Sequence, residues 1–180
     1  MALTATLFHL TLQLADMDRE VYADLALHVA QQPSETAEFM LVRVLAYALE
    51  YEEGIAFTEG VAAVDQPAVW VRDLTGRVTA WIEVGAPDAE RMHRGSKLAG
   101  RAAVYTHRDP RTLLATYANS RIHRAAEVPV YSFDREFLAQ AAARLQRRSK
   151  LALTVTERQI YLDIDGHDLS TPIDTAAASG

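Results

Sequence analysis

Hydrophobic and polar positions alternate along much of the chain, and this pattern predicts strands. The alternation in residues 1–16 is followed by turn residues and by a second alternating run over 21–30, which together predict a hairpin. A helix is predicted after Pro33, because apolar residues then recur every three or four positions. Ser34 is the expected cap of this helix, and Gly54 marks its expected end.

The rest of the chain mixes strands with helices without strict alternation. The further predicted elements are strands at 68–72, 78–84, 101–106 and 128–133, helices at 88–98, 109–124 and 134–148, and a hairpin over 151–164. Two strand–helix–strand passages favour parallel pairing with right-handed crossovers. The pattern therefore predicts an α+β fold, with a mixed sheet flanked by helices, in a single domain over residues 1–172 with a flexible tail over 173–180.

Composition excludes several classes of protein. A hydrophobic fraction of 49% suits a chain that folds around a core, and the absence of cysteine excludes disulfides and thiol nucleophiles. The apolar runs are too short to span a bilayer, and the first residues do not resemble a signal peptide, so we expect a cytoplasmic protein that does not bind membranes. Phosphate-binding glycine loops and the serine-hydrolase elbow are both missing from the sequence.

Charge is distributed unevenly along the chain, whose net charge is −6. Residues 1–90 hold four Lys/Arg and fifteen Asp/Glu, whereas residues 91–180 hold fourteen and nine, which gives formal charges of −11 and +5. Between residues 91 and 124, eight cations accompany one acid, Asp109. Such a segment could hold a phosphate backbone, because local potential matters more than net charge. The alternative is a set of solvated helix faces.

Three acidic residues stand out by their positions. Glu35 and Glu38 lie three residues apart at the predicted helix start, and Glu83 lies inside the apolar strand over 78–84. A carboxylate in such a strand must be exposed, paired with a cation or bound to a metal, because burying it alone is costly. Hard divalent cations bind clustered oxygen ligands of this kind. A metal site and simple ion pairs with arginine both remain open.

Six short blocks in the first half of the chain carry a family resemblance. They are PSETAE at 33–38, MLVR at 40–43, FTEG at 57–60, PAVW at 67–70, DLTG at 73–76 and WIEVGAPD at 81–88. Their order and spacing across residues 1–107 resemble the bacterial YaeQ family. The resemblance implies a core similar to that of the PD-(D/E)xK nucleases, with hairpins added at the N- and C-terminal ends.

The resemblance also implies a site. Nucleases with this core use acids to hold Mg²⁺, which activates water and neutralises phosphate charge, together with a nearby lysine. Carried over to this chain, the metal ligands would be Glu35, Glu38 and Glu83, the catalytic residues Glu83 and Lys97, and the phosphate-binding residues Arg91, Arg94 and Arg101. Two positions depart from the pattern. Ala68 stands where the family usually has an acid after proline, and Gly85 stands where the core places its lysine.

Three hypotheses therefore remain open. The first is a Mg²⁺-dependent phosphodiesterase that cleaves nucleic acid, for which Glu38 and Glu83 must lie close together. The second is a non-catalytic protein of the same fold that binds nucleic acid or a protein through a basic strip, defined as Arg91, Arg94, Lys97 and Arg101. The third has no site, and its acids only form ion pairs with arginines. Those arginines would be Arg43, Arg72 and Arg91.

Overall fold

A computed structural model describes residues 4–59 and 63–179 of the chain. The strands are β1 (Thr6–Asp16), β2 (Val21–Gln31), β3 (Ile55–Phe57), β4 (Val69–Arg72), β5 (Val78–Val84), β6 (Ala102–Thr106), β7 (Pro129–Ser132), β8 (Arg148–Thr156), β9 (Gln159–Ile164), β10 (His167–Pro172) and β11 (Asp174–Ala177). The α-helices are α1 (Ala37–Leu49), α2 (Ala89–Ala99), α3 (Pro110–Ala118) and α4 (Arg135–Arg144).

These elements form two compact units. The first contains the residues up to Val44 together with Phe133–Ile173, and the second contains Leu45–Ser132 and the residues from Asp174 onward. Helix α1 runs from one unit into the other. The single domain predicted over residues 1–172 stays a prediction, because compactness alone does not show which part of a chain folds independently.

The first unit is built on a five-stranded sheet with the order β10-β9-β8-β1-β2. Strands β1 and β2 pair along their whole length as an antiparallel hairpin, from Thr6↔Gln31 to Asp16↔Val21. Every second side chain in the central part of both strands is buried, and Leu10 is one of them. The hairpin predicted from the alternating pattern is thus confirmed, although residues 1–3 of the predicted strand lie outside the described residues.

The second unit is built on a six-stranded sheet with the order β11-β7-β6-β5-β4-β3. Strand β5 pairs with β6 in parallel, and β6 pairs with β7 in parallel, with α2 and α3 in the two connections. Both parallel pairings were favoured by the strand–helix–strand passages, and the α+β class is confirmed. The chain, however, forms two sheets instead of one. The sheet of the first unit is also mixed, because β1 pairs in parallel with β8.

Several predicted ends of helices were wrong. Helices α1, α3 and α4 end at Leu49, Ala118 and Arg144, each several residues before the predicted end. Helix α1 begins at Ala37, and its cap is Thr36, whose Oγ1 accepts a 3.1 Å hydrogen bond from the Phe39 amide, so Ser34 is not the cap. The flexible tail predicted over 173–180 stays a prediction; within it the structure has β11, which pairs antiparallel with β7. The unpaired edge of β7 supplies the hydrogen bonds that this short, alanine-rich segment lacks on its own.

No helix in the part of the chain that the structure describes is long and apolar enough to cross a bilayer.

Candidate phosphate-binding site

Helix α2 is fixed in place by its caps and by one glycine. Asp88 caps its start by accepting a 2.7 Å hydrogen bond from the Arg91 amide, and Gly100 ends it in the left-handed conformation. A Cβ atom at Gly95 would lie 2.5 Å from the indole ring of Trp81, so only glycine allows this close approach. The helix therefore packs directly on β5, which fixes the face from which Arg94 and Lys97 extend.

Glu83 is buried in β5 beneath this helix, with 4% of its surface exposed. Its Oε1 atom accepts a 2.9 Å hydrogen bond from Trp81 Nε1 and a 2.7 Å hydrogen bond from Arg91 Nε. Burial raises the pKa of Glu83 to about 7, although the Arg91 charge and both hydrogen bonds act in the opposite direction. The carboxyl group therefore changes its charge near neutral pH.

Arg91 connects this carboxylate to the segment that precedes β4. Its guanidinium donates to the carbonyl oxygen of Val64 at 2.9 Å and to the carbonyl oxygen of Gln66. Together with the ion pair to Glu83, these bonds engage all three nitrogens of the guanidinium. Arg91, predicted to bind phosphate, is thus committed to contacts within the protein.

The surroundings of Glu83 do not fit Mg²⁺. Val69 pairs with Ile82, and continuing this register by one residue places Ala68, which has no donor atom, across from Glu83. Gly85 likewise brings no side chain. Within residues 4–59 and 63–179, no three His, Cys, Asp or Glu side chains are grouped so that they could hold a metal ion. Mg²⁺ in proteins is held by one or two free carboxylates together with water. Here the Glu83 carboxylate is already paired with Arg91, so the residues present do not fit the ion.

Glu35 and Glu38, the other two predicted metal ligands, belong to the first unit. Glu35 is buried before α1, and its Oε1 lies 2.7 Å from Arg43 Nη2, which also donates to the Ala30 carbonyl. Burial raises the pKa of Glu35, and the Arg43 charge opposes this shift. Glu38 is half-buried in the first turn of α1. The predicted proximity of Glu38 and Glu83 stays a prediction.

Two of the three arginines named by the ion-pair hypothesis do pair with acids, namely Arg43 with Glu35 and Arg91 with Glu83. Arg72 instead stacks on an aromatic ring, with its guanidinium carbon 3.9 Å from the ring centre of Trp70.

Arg101, at the other end of the basic strip, is also engaged. Its guanidinium lies 2.5 Å from a carboxylate oxygen of Glu50 and 3.0 Å from one of Glu52. The Tyr105 hydroxyl donates to the second oxygen of Glu50 at 2.7 Å. These bonds tie the start of β6 to the end of α1, so Arg101 serves the fold in the same way as Arg91.

The two remaining cations of the strip, Arg94 and Lys97, are exposed on α2. Neither forms an ion pair with any residue that the structure describes. Both line an open cavity of about 570 Å³ together with Trp81, His93 and Leu98. We call this cavity the α2 pocket. Its wall is mostly apolar and includes Leu98, which is 59% exposed, while Arg94 and Lys97 contribute to its lining.

The ring of His93 lines the α2 pocket. Its Nδ1 is buried and has no hydrogen-bond partner among the described residues. Its ring stands perpendicular to that of His123, with the ring centres 6.4 Å apart, and Ser96 Oγ donates to the His123 carbonyl at 2.7 Å. The segment around His123 is therefore anchored to α2.

The sequence predicts Arg94 and Lys97 as site residues, but it does not predict that His93, Leu98 and Trp81 line the same pocket. A signal was present, because residues 93 and 97, like residues 94 and 98, are four apart and share one face of a helix. The contribution of Trp81 could not be predicted in this way, since it depends on the packing of α2 against β5.

Comparisons with known proteins place the chain among relatives of nearly equal length. The family model described as "YaeQ protein" matches residues 1–173. An "Uncharacterized protein YaeQ" from Escherichia coli K12 is 34% identical over 170 residues, covering 94% of both chains. A protein of the same description from Salmonella typhi is 32% identical over 163 residues, covering 90% of both.

Solved structures resemble the whole chain equally well. The crystal structure of the YaeQ protein from Pseudomonas syringae has a TM-score of 0.86 at 31% identity, and the match covers 95% of both chains. The crystal structure of the YaeQ protein from Xanthomonas axonopodis pv. citri has a TM-score of 0.87 at 30% identity, covering 96% of this chain and 98% of that one.

Proposed function

The chain belongs to the YaeQ family, and we propose that it binds nucleic acid without cleaving it, by holding backbone phosphates at the α2 pocket. One observation carries the proposal. Of the four cations of the basic strip, the two without an ion pair among the described residues, Arg94 and Lys97, line the same open pocket.

The chemistry of the pocket suits a phosphate beside an apolar group. Arg94 can donate two hydrogen bonds to one phosphate, and Lys97 supplies a mobile point charge. The exposed side chain of Leu98 offers a surface for a sugar or base next to that phosphate. The net charge of −6 opposes binding at long range, so we expect weak, sequence-independent affinity with few phosphate contacts.

Two features argue against cleavage. Glu83 is held by Arg91 and Trp81, and the neighbouring positions 68 and 85 carry no acid and no lysine. Without those groups, the site lacks the acids that would hold a metal ion and the lysine that would assist its activated water. The Mg²⁺-dependent nuclease, with Lys97 as a catalytic residue, has no comparable observation in its favour and stays a prediction. The cytoplasmic location expected from the sequence also stays a prediction.

Salt-dependent binding tests the proposal. A labelled single-stranded oligonucleotide is titrated with protein at salt concentrations between about 50 and 200 mM, and binding is followed by fluorescence anisotropy. Wild-type affinity should fall as salt rises, because each neutralised phosphate releases counterions. The double variant Arg94→Gln/Lys97→Gln removes two contacts, and should reduce the slope of log K against log salt by about 1.4, at 0.7 for each phosphate of a single strand.

A control variant separates the pocket from the total charge. Arg148→Gln/Lys150→Gln removes the same two charges from exposed positions on β8 of the other unit. This control should keep the wild-type slope. An equal loss in both double variants would show that only net charge matters. If no oligonucleotide binds at the lowest salt, the proposal is wrong and the hypothesis of a protein partner takes its place.

A further inference from the structure

A histidine pair bridges the two strands of the long hairpin in the first unit. His9 on β1 faces His28 on β2 in the antiparallel register. Their Nδ1 atoms lie 2.8 Å apart, and the two rings are nearly perpendicular, with centres separated by 4.8 Å. Both side chains lie on the face of the sheet opposite to the buried leucines, which leaves them accessible from solvent.

Two imidazole nitrogens at this distance form a hydrogen bond, in which one Nδ1–H donates to the other Nδ1, and a metal ion bound to both nitrogens would take the place of that proton. With a metal–nitrogen distance of about 2.05 Å, two ligands at 90° lie about 2.9 Å apart, whereas two ligands at a tetrahedral angle lie about 3.3 Å apart. The separation in this pair is therefore close to that of neighbouring positions in a square-planar or tetragonal complex. Cu²⁺ and Ni²⁺ favour such geometry with nitrogen and oxygen ligands.

The space around the pair is open. The neighbouring pairs on the same face are Leu7↔Ala30 and Thr11↔Ala26, and the two alanines leave room above the imidazoles for further ligands. Arg148 on β8 lies beside His9 in the parallel register, and none of these flanking positions carries a carboxylate. The nearby positive charge lowers the affinity for a cation, so binding has to come from the two nitrogens themselves.

We propose that His9 and His28 form a two-histidine site for Cu²⁺ or Ni²⁺, with the other coordination positions filled by water. The expected order of affinity is Cu²⁺ above Ni²⁺, as for most nitrogen sites. The site lies in the first unit and uses none of the residues of the α2 pocket, so it is independent of nucleic-acid binding.

A metal at this site joins β2, an edge strand, to β1 in the interior of the sheet. Because an unfolded chain does not hold the two imidazoles together, binding stabilises the folded state, and the melting temperature should rise with metal concentration.

Calorimetric titration of tag-free protein with CuCl₂, and separately with NiCl₂, tests the site at neutral pH. The wild type should bind one equivalent. His9→Gln and His28→Gln should each abolish this binding, and the double variant should lose nothing more. His167→Gln, which removes an exposed histidine from β10 of the same sheet, is the matched control and should bind like the wild type.

Far-UV circular dichroism establishes that each variant remains folded, and the visible absorption band of bound Cu²⁺ provides a second measurement of the ligands. A band typical of nitrogen ligands should be present in the wild type and absent from both single variants. Metal binding that survives in either single variant, or a wild type that binds no metal, would overturn the proposal.

Discussion

Replacing Glu83 by glutamine would isolate the energetic consequence of burying this carboxyl group. Glutamine has nearly the same shape, and its Oε1 can accept the hydrogen bonds that Trp81 and Arg91 now donate. What the substitution removes is the ability to carry a negative charge. Any change in the pH dependence of stability therefore reports the titration of this one group.

The expected magnitude follows from the pKa of Glu83, which rises from an ordinary value of 4.5 to about 7 in the folded protein. Since the folded state holds the proton more tightly, the group contributes stability that is fully present below the unfolded pKa and is lost as the pH rises through 7. Linkage gives a loss of about 2 kcal/mol in the free energy of unfolding on going from pH 5.5 to 8.5.

Urea unfolding followed by circular dichroism measures this loss. Between the two pH values, the free energy of unfolding of the wild type should fall by about 2 kcal/mol more than that of Glu83→Gln. Glu53→Gln, which alters an exposed glutamate of the same unit, should behave like the wild type. If the difference in the free energy of unfolding between wild type and Glu83→Gln does not change with pH, Arg91 fully offsets the cost of burying the carboxylate, and the reasoning is refuted.

Three further substitutions test the packing around the site. Ala68→Asp places a second carboxylate across from Glu83 and should give Mn²⁺ or Mg²⁺ binding in a calorimetric titration that the wild type lacks; no binding in a folded variant would mean that residue 68 does not face Glu83. Gly95→Ala drives a methyl group into the indole of Trp81 and should lower the free energy of unfolding by about 1–3 kcal/mol, with no loss expected only if α2 can shift. Arg43→Met leaves a buried carboxylate without its cation and should lower the free energy of unfolding by about 3–5 kcal/mol in urea at neutral pH, and a smaller loss would mean that this carboxyl group is already protonated.

The hairpin and the parallel strands could be predicted because their side-chain patterns are local. In β1 and β2 the alternation continues for eleven residues each, and burial of one face fixes the register. The end of the chain could not be predicted in the same way. Strand β11 (Asp174–Ala177) has no alternating apolar residues, and it depends on pairing with β7, more than forty residues earlier.

In the candidate site, the ion pairs of the charged residues likewise could not be predicted from local sequence patterns. Arg91, Arg94, Lys97 and Arg101 look equivalent in the sequence, since all four belong to one basic segment. Arg101 differs only because Glu50, 51 residues earlier, lies beside it in the fold. Pairing between distant acids and bases thus decided which cations could bind a ligand, and no local pattern reveals it.

The most direct test of the account follows the α2 pocket by nuclear magnetic resonance during titration with a single-stranded oligonucleotide. Holding phosphates at this pocket should shift the Trp81 indole N–H signal and the amide signals of residues 93–98, while those of α4 (Arg135–Arg144), in the other unit, stay unchanged. The shifts should reverse when salt is added, because phosphate contacts are weakened by counterions. The account would be contradicted if the largest shifts fell outside residues 93–98 and the Trp81 indole signal did not move.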